Sequence, residues 1–317
     1  MDLSICIVTY NQPTLLPNCV EACLSEIGLC GVTAEVIVID NASRDSYPAR
    51  LSGHSPLVRV IRNEENLSFS AANNRAIRSS QGRYVLILND DAVLQKGSLA
   101  AMVRELDRMP DAGAIGPKLI HPDRSLQSRF TNRRFPHIRG IVISIFGLEG
   151  RLVTSARWRD LLTLSRDPEC SGETDYVAGA CLLIRRTALL EVGLFDEDFS
   201  YWFEDTDFCY RLKKRGWKVF YQAETSVIHY GSASLNKIDE SHRTMMFLRS
   251  LMIFYAKDEG PIKSLLLRFF LGAALLCNAF RISLRCLYSV GSEKGSDSFG
   301  RLLTCLRLLR LVYCGAR

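Results

Sequence analysis

Four short apolar runs recur early in the chain: Leu3 to Val8, Val36 to Ile39, Val58 to Ile61 and Tyr84 to Leu88. Each is rich in β-branched residues, almost unbroken by polar ones, and followed by polar or turn residues. A strand with one wet face alternates, whereas a strand buried on both faces does not, so the pattern predicts a parallel sheet covered on both sides. Helical patterns over Thr14 to Leu29 and Phe69 to Ser79 lie between the runs, and the first 110 residues therefore read β-α-β-β-α-β. That succession defines an α/β fold with a mixed, mostly parallel central sheet flanked by helices.

Further along, Asp175 to Ile184 reads as another buried strand, Asp205 to Arg215 as a helix, and Lys218 to Tyr221 and Ser226 to His229 as two more strands. Beyond them the pattern changes. Ser264 to Val290 is strongly apolar, but its longest uncharged run, Phe269 to Phe280, is 12 residues, short of the roughly 20 that a spanning helix needs. Asn278, Arg281 and Arg285 share one arc of a helical wheel, and Leu302, Cys305, Leu306, Leu309 and Tyr313 follow at helical spacing with Arg307 and Arg310 beside them. Basic amphipathic helices of this kind lie in a membrane interface. The alternative cover is the protein body or a second copy of the chain in a homodimer.

Composition sharpens this picture. The 317 residues are 47% hydrophobic and 23% charged, which suits a globular protein and excludes a disordered or collagen-like chain. The net charge of +6 belongs to the tail: from Gly260 onward nine Lys or Arg face two Asp or Glu, leaving the rest close to neutral. Nucleic acid is thus not expected as a partner of the main body, while an anionic surface suits the tail. Eleven Cys without a C-x-x-C pair fit reduced thiols better than bridges or a zinc site, and Met1-Asp2-Leu3-Ser4 lacks the basic start of a signal peptide. A cytoplasmic protein, peripheral on the inner face of the membrane, is the expectation.

In open α/β sheets ligands bind outside the carboxyl ends of the strands. Three such ends carry polar clusters: Thr9-Tyr10-Asn11, Asp40-Asn41-Ala42-Ser43 and Asn89-Asp90-Asp91. Neither G-x-G-x-x-G nor G-x-x-x-x-G-K-[ST] is present, so phosphate chemistry here must rely on a metal and carboxylates. Adjacent carboxylates such as Asp90 and Asp91 repel unless a cation or donors offset them, and Mg²⁺ favours one or two carboxylates plus phosphate oxygens. A second cluster, Tyr201-Trp202-Phe203-Glu204-Asp205-Thr206-Asp207, puts three carboxylates beside aromatics. Asp207 and Arg211 are spaced for an i, i+4 ion pair, which leaves Glu204 or Asp205 for general-base work. His229, at a strand end, is a candidate metal ligand. Eight arginines between residues 125 and 172 (Arg129, Arg133, Arg134, Arg139, Arg151, Arg157, Arg159 and Arg166) mark either an acceptor- or membrane-contacting insert or a solvated basic loop.

Together these pieces resemble family 2 glycosyltransferases of the GT-A fold, and most closely their bacterial rhamnosyltransferase-like branch. The matching stretches, in order, are Ser4 to Asn11, Val36 to Ser43, Asn66 to Asn74, Leu86 to Asp91, Val177 to Ala180, and Phe203 to Arg211 followed by His229. They cover about residues 3 to 235. The resemblance implies a catalytic domain over 1–235, comprising a nucleotide-binding half (1–120), the basic insert (125–172) and an acceptor and base half (175–235), with a helical, membrane-associating tail over 236–317.

It further implies that Thr9, Tyr10, Asn11, Asp40 and Asn41 hold the nucleotide, with Asp40 accepting from the base. Asn66 and Asn74 lie near the donor, and Asp91, with Asp90 beside it, coordinates Mg²⁺ or Mn²⁺, His229 completing the site. Asp205 is the base that deprotonates the acceptor hydroxyl in a single inverting displacement, and Glu204 is second. The implied donor is a nucleotide-diphospho-sugar, dTDP-rhamnose first and UDP- or GDP-sugars next; the implied acceptor is a lipid-linked saccharide of cell-surface polysaccharide synthesis.

Two departures stand out. Ser68 occupies a place that many relatives give to Gly, so the backbone there must do without a residue at ease with positive φ, and Asp90 sits where the family varies, which puts the weight on Asp91. A processive synthase is disfavoured, since the chain's Arg157-Trp158 is preceded by Thr154 in place of the Gln of Q-x-x-R-W. A nucleotidyltransferase would need a Gly-rich basic loop where Thr9-Tyr10-Asn11-Gln12-Pro13 stands. The alternative from another class is a catalytically silent sugar-nucleotide-binding subunit, against which the intact Asp91 and Glu204-Asp205 count.

Overall fold

A computed structural model describes residues 1–44, 47–128, 131–145, 167–231, 239–288 and 293–314. The strands are β1 (Leu3–Thr9), β2 (Ala34–Asp40), β3 (Val58–Arg62), β4 (Tyr84–Asn89), β5 (Ala92–Leu94), β6 (Ala112–Ile120), β7 (Gly172–Thr174), β8 (Cys181–Arg185) and β9 (Lys218–His229). The helices are α1 (Leu16–Cys30), α2 (Tyr47–Arg50), α3 (Phe69–Ser79), α4 (Ser98–Arg108), α5 (Ile138–Ile145), α6 (Arg186–Val192), α7 (Glu204–Lys214), α8 (Glu240–Phe254), α9 (Pro261–Tyr288) and α10 (Glu293–Cys314). The chain divides into two units, one of Met1–Phe135 with Ser165–Ala233 and the other of Pro136–Leu164 with Ser234–Arg317. This division groups α5 with the C-terminal helices.

In the first unit one sheet runs β3-β2-β1-β4-β8-β6-β9-β5, with β7 on β9. The first four strands in sequence are parallel where they pair, as are β6 and β9, and among the longer strands β8 alone runs the other way. The apolar runs do what their pattern predicts: in β1, Leu3, Ile5 and Ile7 feed one core while Cys6 faces the other, and both cores are closed to water. Consequently Thr9, Asp40, Asn89, Ile120 and His229 end their strands on one edge, and the residues leading into the reversed β8 join them there.

Three readings of the sequence are corrected. Only Cys181–Arg185 of the expected strand over 175–184 enters the ladder. Val177 instead fills the space beside Gly116, where a Cβ would lie 2.7 Å from its own Cβ. The expected strands 218–221 and 226–229 are one strand, β9, whose pairing with β6 jumps from Pro117↔Gln222 to Lys118↔Ser226, so residues 223–225 are accommodated as an irregularity in a continuous strand. β5, three residues long, was not anticipated; it places Ala92 opposite His229.

Within the second unit α9 and α10 pack together, with the Tyr313 ring lying against Gly272, where a Cβ would clash with the phenol. Asn278 donates to Cys305 Sγ at 3.5 Å, and Arg268 donates to the Val312 carbonyl. The buried stripe of α10 is Cys305, Leu308 and Val312, whereas Leu306 and Tyr313 of the expected stripe are exposed. A second apolar stripe, of Ile262, Leu265, Phe269, Leu276 and Phe280 on α9, also faces outward. By length and composition Pro261–Ser283 is apolar enough to cross a membrane; Lys263 and Arg281 lie near its ends, and Arg268, inside it, is taken up by the Val312 carbonyl. Of the eight arginines, Arg129, Arg151, Arg157, Arg159 and Arg166 lie outside the described residues. Arg133 is no solvated loop residue: its Nε donates to Tyr176 Oη at 3.1 Å, and Tyr176 pairs with it by an isolated β-bridge.

Candidate active site

The first two strand ends are locked to each other. Asn11 and Ala42 both adopt left-handed backbone, φ 51° and 63°, a conformation that costs a non-glycine residue about 1–2 kcal/mol and is sustained only by surrounding bonds. Those bonds are present: Asn11 N–H donates to Ser43 Oγ at 3.0 Å, and Arg44 N–H donates to Asn11 Oδ1 at 2.8 Å. Asp40 is buried at the same corner. Its Oδ1 accepts from Ser43 N–H at 2.9 Å and its Oδ2 meets Arg62 Nη1 at 2.5 Å, while Arg62 Nη2 reaches the Ser43 carbonyl at 2.8 Å. Asp40 is therefore not a bare acceptor: a base edge that reached it would share it with Arg62, a partner that sequence reasoning missed. The Tyr10 ring is exposed above this corner.

The three asparagines have scaffold contacts. Buried Asn41 donates to Asn66 Oδ1 at 2.7 Å and to the Leu67 carbonyl at 2.9 Å, and its own Oδ1 accepts from Asn63 Nδ2 and Leu67 N–H. It ties the end of β2 to the approach to α3. Asn74 donates to the Phe195 carbonyl and to Glu197 Oε1 and accepts from Phe195 N–H. It braces the segment before α7. Ser68 resolves the missing glycine: at φ −61° it is the N-cap of α3, its hydroxyl accepting from Ala71 N–H at 3.2 Å. The turn needs no positive φ.

At the end of β4, Asp90 and Asp91 diverge. Burial pushes the Asp90 carboxyl up to about 7, with the Asp91 charge adding to the rise and the Thr9 hydroxyl and Tyr10 N–H opposing it. Asp91 is buried in the other direction, its Oδ1 3.2 Å from His229 Nε2, while its backbone carbonyl accepts from Tyr230 N–H at 2.9 Å. Asn89 Nδ2 lies 3.3 Å from the same imidazole nitrogen, and Asn89 Oδ1 is buried without a partner. Two protein ligands and an orphaned amide oxygen fit a divalent cation that takes its other ligands from phosphate and water. Among the described residues no group of three or more His, Cys, Asp or Glu is placed to hold a metal.

Glu204 and Asp205 open α7 after two consecutive left-handed residues, Trp202 at φ 58° and Phe203 at φ 69°. Asp205 is held from several directions: Oδ2 accepts from Gly179 N–H at 2.9 Å, and Oδ1 from Thr206 N–H at 2.6 Å and the Thr206 hydroxyl at 3.1 Å. Gly179 precedes Ala180, whose carbonyl accepts from Asn89 N–H at 3.0 Å. One short path of backbone and hydrogen bonds thus joins Asp205 to the Asn89-Asp90-Asp91 end of β4. Its Gly179 and Thr206 contacts were not foreseen; the Val177 to Ala180 stretch was the only hint. Glu204 lies alongside, with Oε2 buried and unpartnered.

The expected ion pair below them is present, Arg211 Nε and Nη2 lying 2.9 and 2.7 Å from Asp207 Oδ2, with Arg211 also donating to the Val192 and Leu194 carbonyls. Asp207 is almost fully buried, its side chain 3% exposed. Arg211→Ala, which strands that charge, is expected to cost about 3–5 kcal/mol in urea unfolding, far more than Arg211→Lys.

The family model described as glycosyl transferase family 2 matches residues 4–193. The N-acetylglucosaminyl-diphospho-decaprenol L-rhamnosyltransferase of Mycobacterium tuberculosis is 31% identical over 221 residues, which cover 65% of this chain and 70% of that protein. The chain belongs to glycosyl transferase family 2.

As a family 2 glycosyltransferase it shares its fold with solved GT-A enzymes of low sequence identity. The Pyrobaculum calidifontis mannosyltransferase PcManGT, solved with GDP-Man and Mn²⁺, superposes with TM-score 0.58 at 16% identity, covering 99% of this chain and 86% of the other. GalNAc-T7, solved with UDP, GalNAc and Mn²⁺, gives TM-score 0.58 at 16% identity, over 81% of this chain and 50% of the other. The O-antigen biosynthesis protein RfbC of Myxococcus xanthus is 26% identical over 73% of this chain but only 17% of its own length. The mixed, mostly parallel sheet with flanking helices is thus the GT-A α/β fold.

In this glycosyltransferase the carboxylate pair carries a pH signature. Burial, and then the charge of Asp205, push the Glu204 carboxyl up to about 8, and burial raises Asp205 as well. The folded state then holds the Glu204 proton more tightly than the unfolded chain. Stability from this group is full below the ordinary carboxylate range and falls as pH rises toward about 8. Glu204→Gln is expected to remove that slope from a pH series of denaturation midpoints.

Proposed function

We infer that this glycosyltransferase inverts the anomeric centre of a nucleotide-diphospho-sugar in a single displacement onto a lipid-linked saccharide of cell-surface polysaccharide synthesis. dTDP-rhamnose is the first donor candidate, and UDP- and GDP-sugars follow. The observation that carries the reading is the path from Asp91 through Asn89 and Ala180 to Gly179 and Asp205. It puts a carboxylate suited to a cation and a carboxylate suited to a base at one strand edge. Asp91 and His229 would hold Mg²⁺ or Mn²⁺, which would supply positive charge to offset that of the departing nucleoside diphosphate.

The remaining work is done by the chain. The exposed Tyr10 and the Asp40–Arg62 pair at the ends of β1 and β2 receive the nucleoside. Asp205, oriented by Gly179 and Thr206, takes the proton from the attacking hydroxyl, and its burial raises its basicity. The choice of rhamnose and of a lipid-linked acceptor rests on the likeness to the mycobacterial enzyme, whose name specifies both. Incubating the purified protein with a panel of sugar nucleotides tests the reading. Release of nucleoside diphosphate that EDTA stops and Mn²⁺ restores is expected, with the anomeric configuration inverted in the product. Donor binding without any turnover would favour the silent-subunit alternative.

The second unit supplies the membrane contact in this proposal. Ile262, Leu265, Phe269 and Phe280 are 62–76% exposed along α9, and Lys263 and the basic residues Arg307 and Arg310 of α10 accompany them. An outward apolar stripe with cationic neighbours suits an anionic bilayer at the inner face of the membrane. Phe269→Asp with Phe280→Asp is expected to lower partition onto vesicles of anionic phospholipid by about tenfold or more, at unchanged melting temperature. Unchanged partition would remove the tail from the proposal.

A further inference from the structure

Gln127 is buried, 3% exposed, in the segment after β6, and its amide spans two histidines. One contact fixes the amide's orientation. Nε2 lies against the backbone carbonyl of His229, and a carbonyl oxygen only accepts, so the amide atom facing it must be nitrogen. The other proton on that nitrogen points to His121 Nδ1 at 3.0 Å. Oε1 is then left facing His229 Nδ1 at 2.9 Å. An amide oxygen cannot donate, so His229 Nδ1 must carry the hydrogen.

The tautomer of the ring follows. With the hydrogen on Nδ1, the neutral imidazole presents an electron pair at Nε2. Asn89 Nδ2 lies 3.3 Å from the same Nε2, a contact in which the amide donates to that electron pair when the ring is Nδ1–H. Nε2 is also the atom 3.2 Å from Asp91 Oδ1. Two acceptors that close are stable neighbours only with a proton or a metal cation between them. Gly231, at φ 65°, lets the backbone fold over this ring and amide: a Cβ there would come within 3.5 Å of Gln127 Nε2 and 3.7 Å of His229 Nδ1.

We propose that Gln127 is a positioning residue that holds His229 as the Nδ1–H tautomer and so keeps Nε2 as a ligand beside Asp91. The amide is aligned by the carbonyl of the very residue whose ring it reads, so orientation of the ring and of the strand end are set together. Partners of this kind on a ligating imidazole fix its tautomer and raise its basicity, and their loss costs about 10–100-fold in metal affinity. The proposal rests on the reading of Asp91 and His229 as the cation site, and its test separates the two.

The tautomer is read first, in the metal-free full-length protein, from ¹⁵N histidine spectra at about pH 8, above the ordinary imidazole range. His229 is expected as Nδ1–H in the wild type. Gln127→Leu is expected to lose that preference, whereas Gln127→Glu keeps it, because a carboxylate still accepts from Nδ1 although it can no longer donate to His121 or to the His229 carbonyl. A merely structural Gln127 predicts the reverse for Glu, since both donor bonds are gone. Mn²⁺ added to the same samples is expected to broaden the His229 signal at about 10–100-fold higher concentration in Gln127→Leu, and within a few-fold of wild type in Gln127→Glu. An Nε2–H wild-type ring, or equal Mn²⁺ response in all three proteins, overturns the proposal and leaves the cation site standing. An Nδ1–H ring that Mn²⁺ never broadens overturns the cation site instead and leaves the role of Gln127 in setting the tautomer.

Discussion

Asp205→Asn is expected to lower sugar transfer by roughly a thousandfold, the middle of the range for losing a positioned general base, while the sugar nucleotide binds as before. The amide keeps the size and most of the hydrogen bonding of the carboxylate: its oxygen still accepts from Gly179 N–H or from Thr206, so α7 stays anchored. What disappears is a site for the acceptor's proton. Burial raises the Asp205 carboxyl, which strengthens it as a base relative to a solvated aspartate and makes water a poor substitute. Binding of donor by calorimetry alongside transfer by product assay separates the two effects. Full transfer by Asp205→Asn moves the base to Glu204, whose Oε2 is buried without a partner.

Asp91→Asn is expected to act at the other end of the reaction. The side chain lies 3.2 Å from His229 and is closed to bulk water, so its loss cannot be made good by solvent around the diphosphate. Turnover is expected to fall at least about a hundredfold, the equivalent of a few kcal/mol of leaving-group stabilisation, with a rise in the Mn²⁺ concentration needed for half-maximal rate. Asp90→Asn, one residue away, is expected to do much less: its carboxyl is pushed toward neutrality by burial and faces the Thr9 and Tyr10 corner. Comparable losses for both variants would mean that the pair acts as one unit.

The sheet was legible because burial on both faces leaves an unambiguous trace. β1 to β4 lie where unbroken β-branched runs predict them, and α3 spans the expected Phe69–Ser79. Reading failed where partners distant in sequence decide. β9 continues through Glu224 and Thr225 because β6 pairs with it on both sides of that stretch, and a window of a few residues cannot contain that. Val177 has a strand residue's composition but fills the gap beside Gly116.

The site shows the same division. Polar clusters at strand ends pointed to Asp91 and His229, which lie 3.2 Å apart, whereas Asp205 was singled out among carboxylates and aromatics and opens a helix. The work of each asparagine was not readable. Asn74 is bound to Phe195 and Asn41 to Leu67, and such bonds leave no local mark in the sequence. Gln127 carried no signal at all: a single glutamine in a basic segment, it gains meaning only once β6 and β9 lie side by side.

The most direct test is the anomalous scattering of Mn²⁺ in crystals grown with the cation and a nucleoside diphosphate. The predicted peak lies between Asp91 Oδ1 and His229 Nε2, with diphosphate oxygens completing the coordination and Asp205 opening onto the same cavity on the sugar side. A peak bound elsewhere, or one at Asp91 with Asp205 walled off from the diphosphate, contradicts the assignment of these two carboxylates to one reaction.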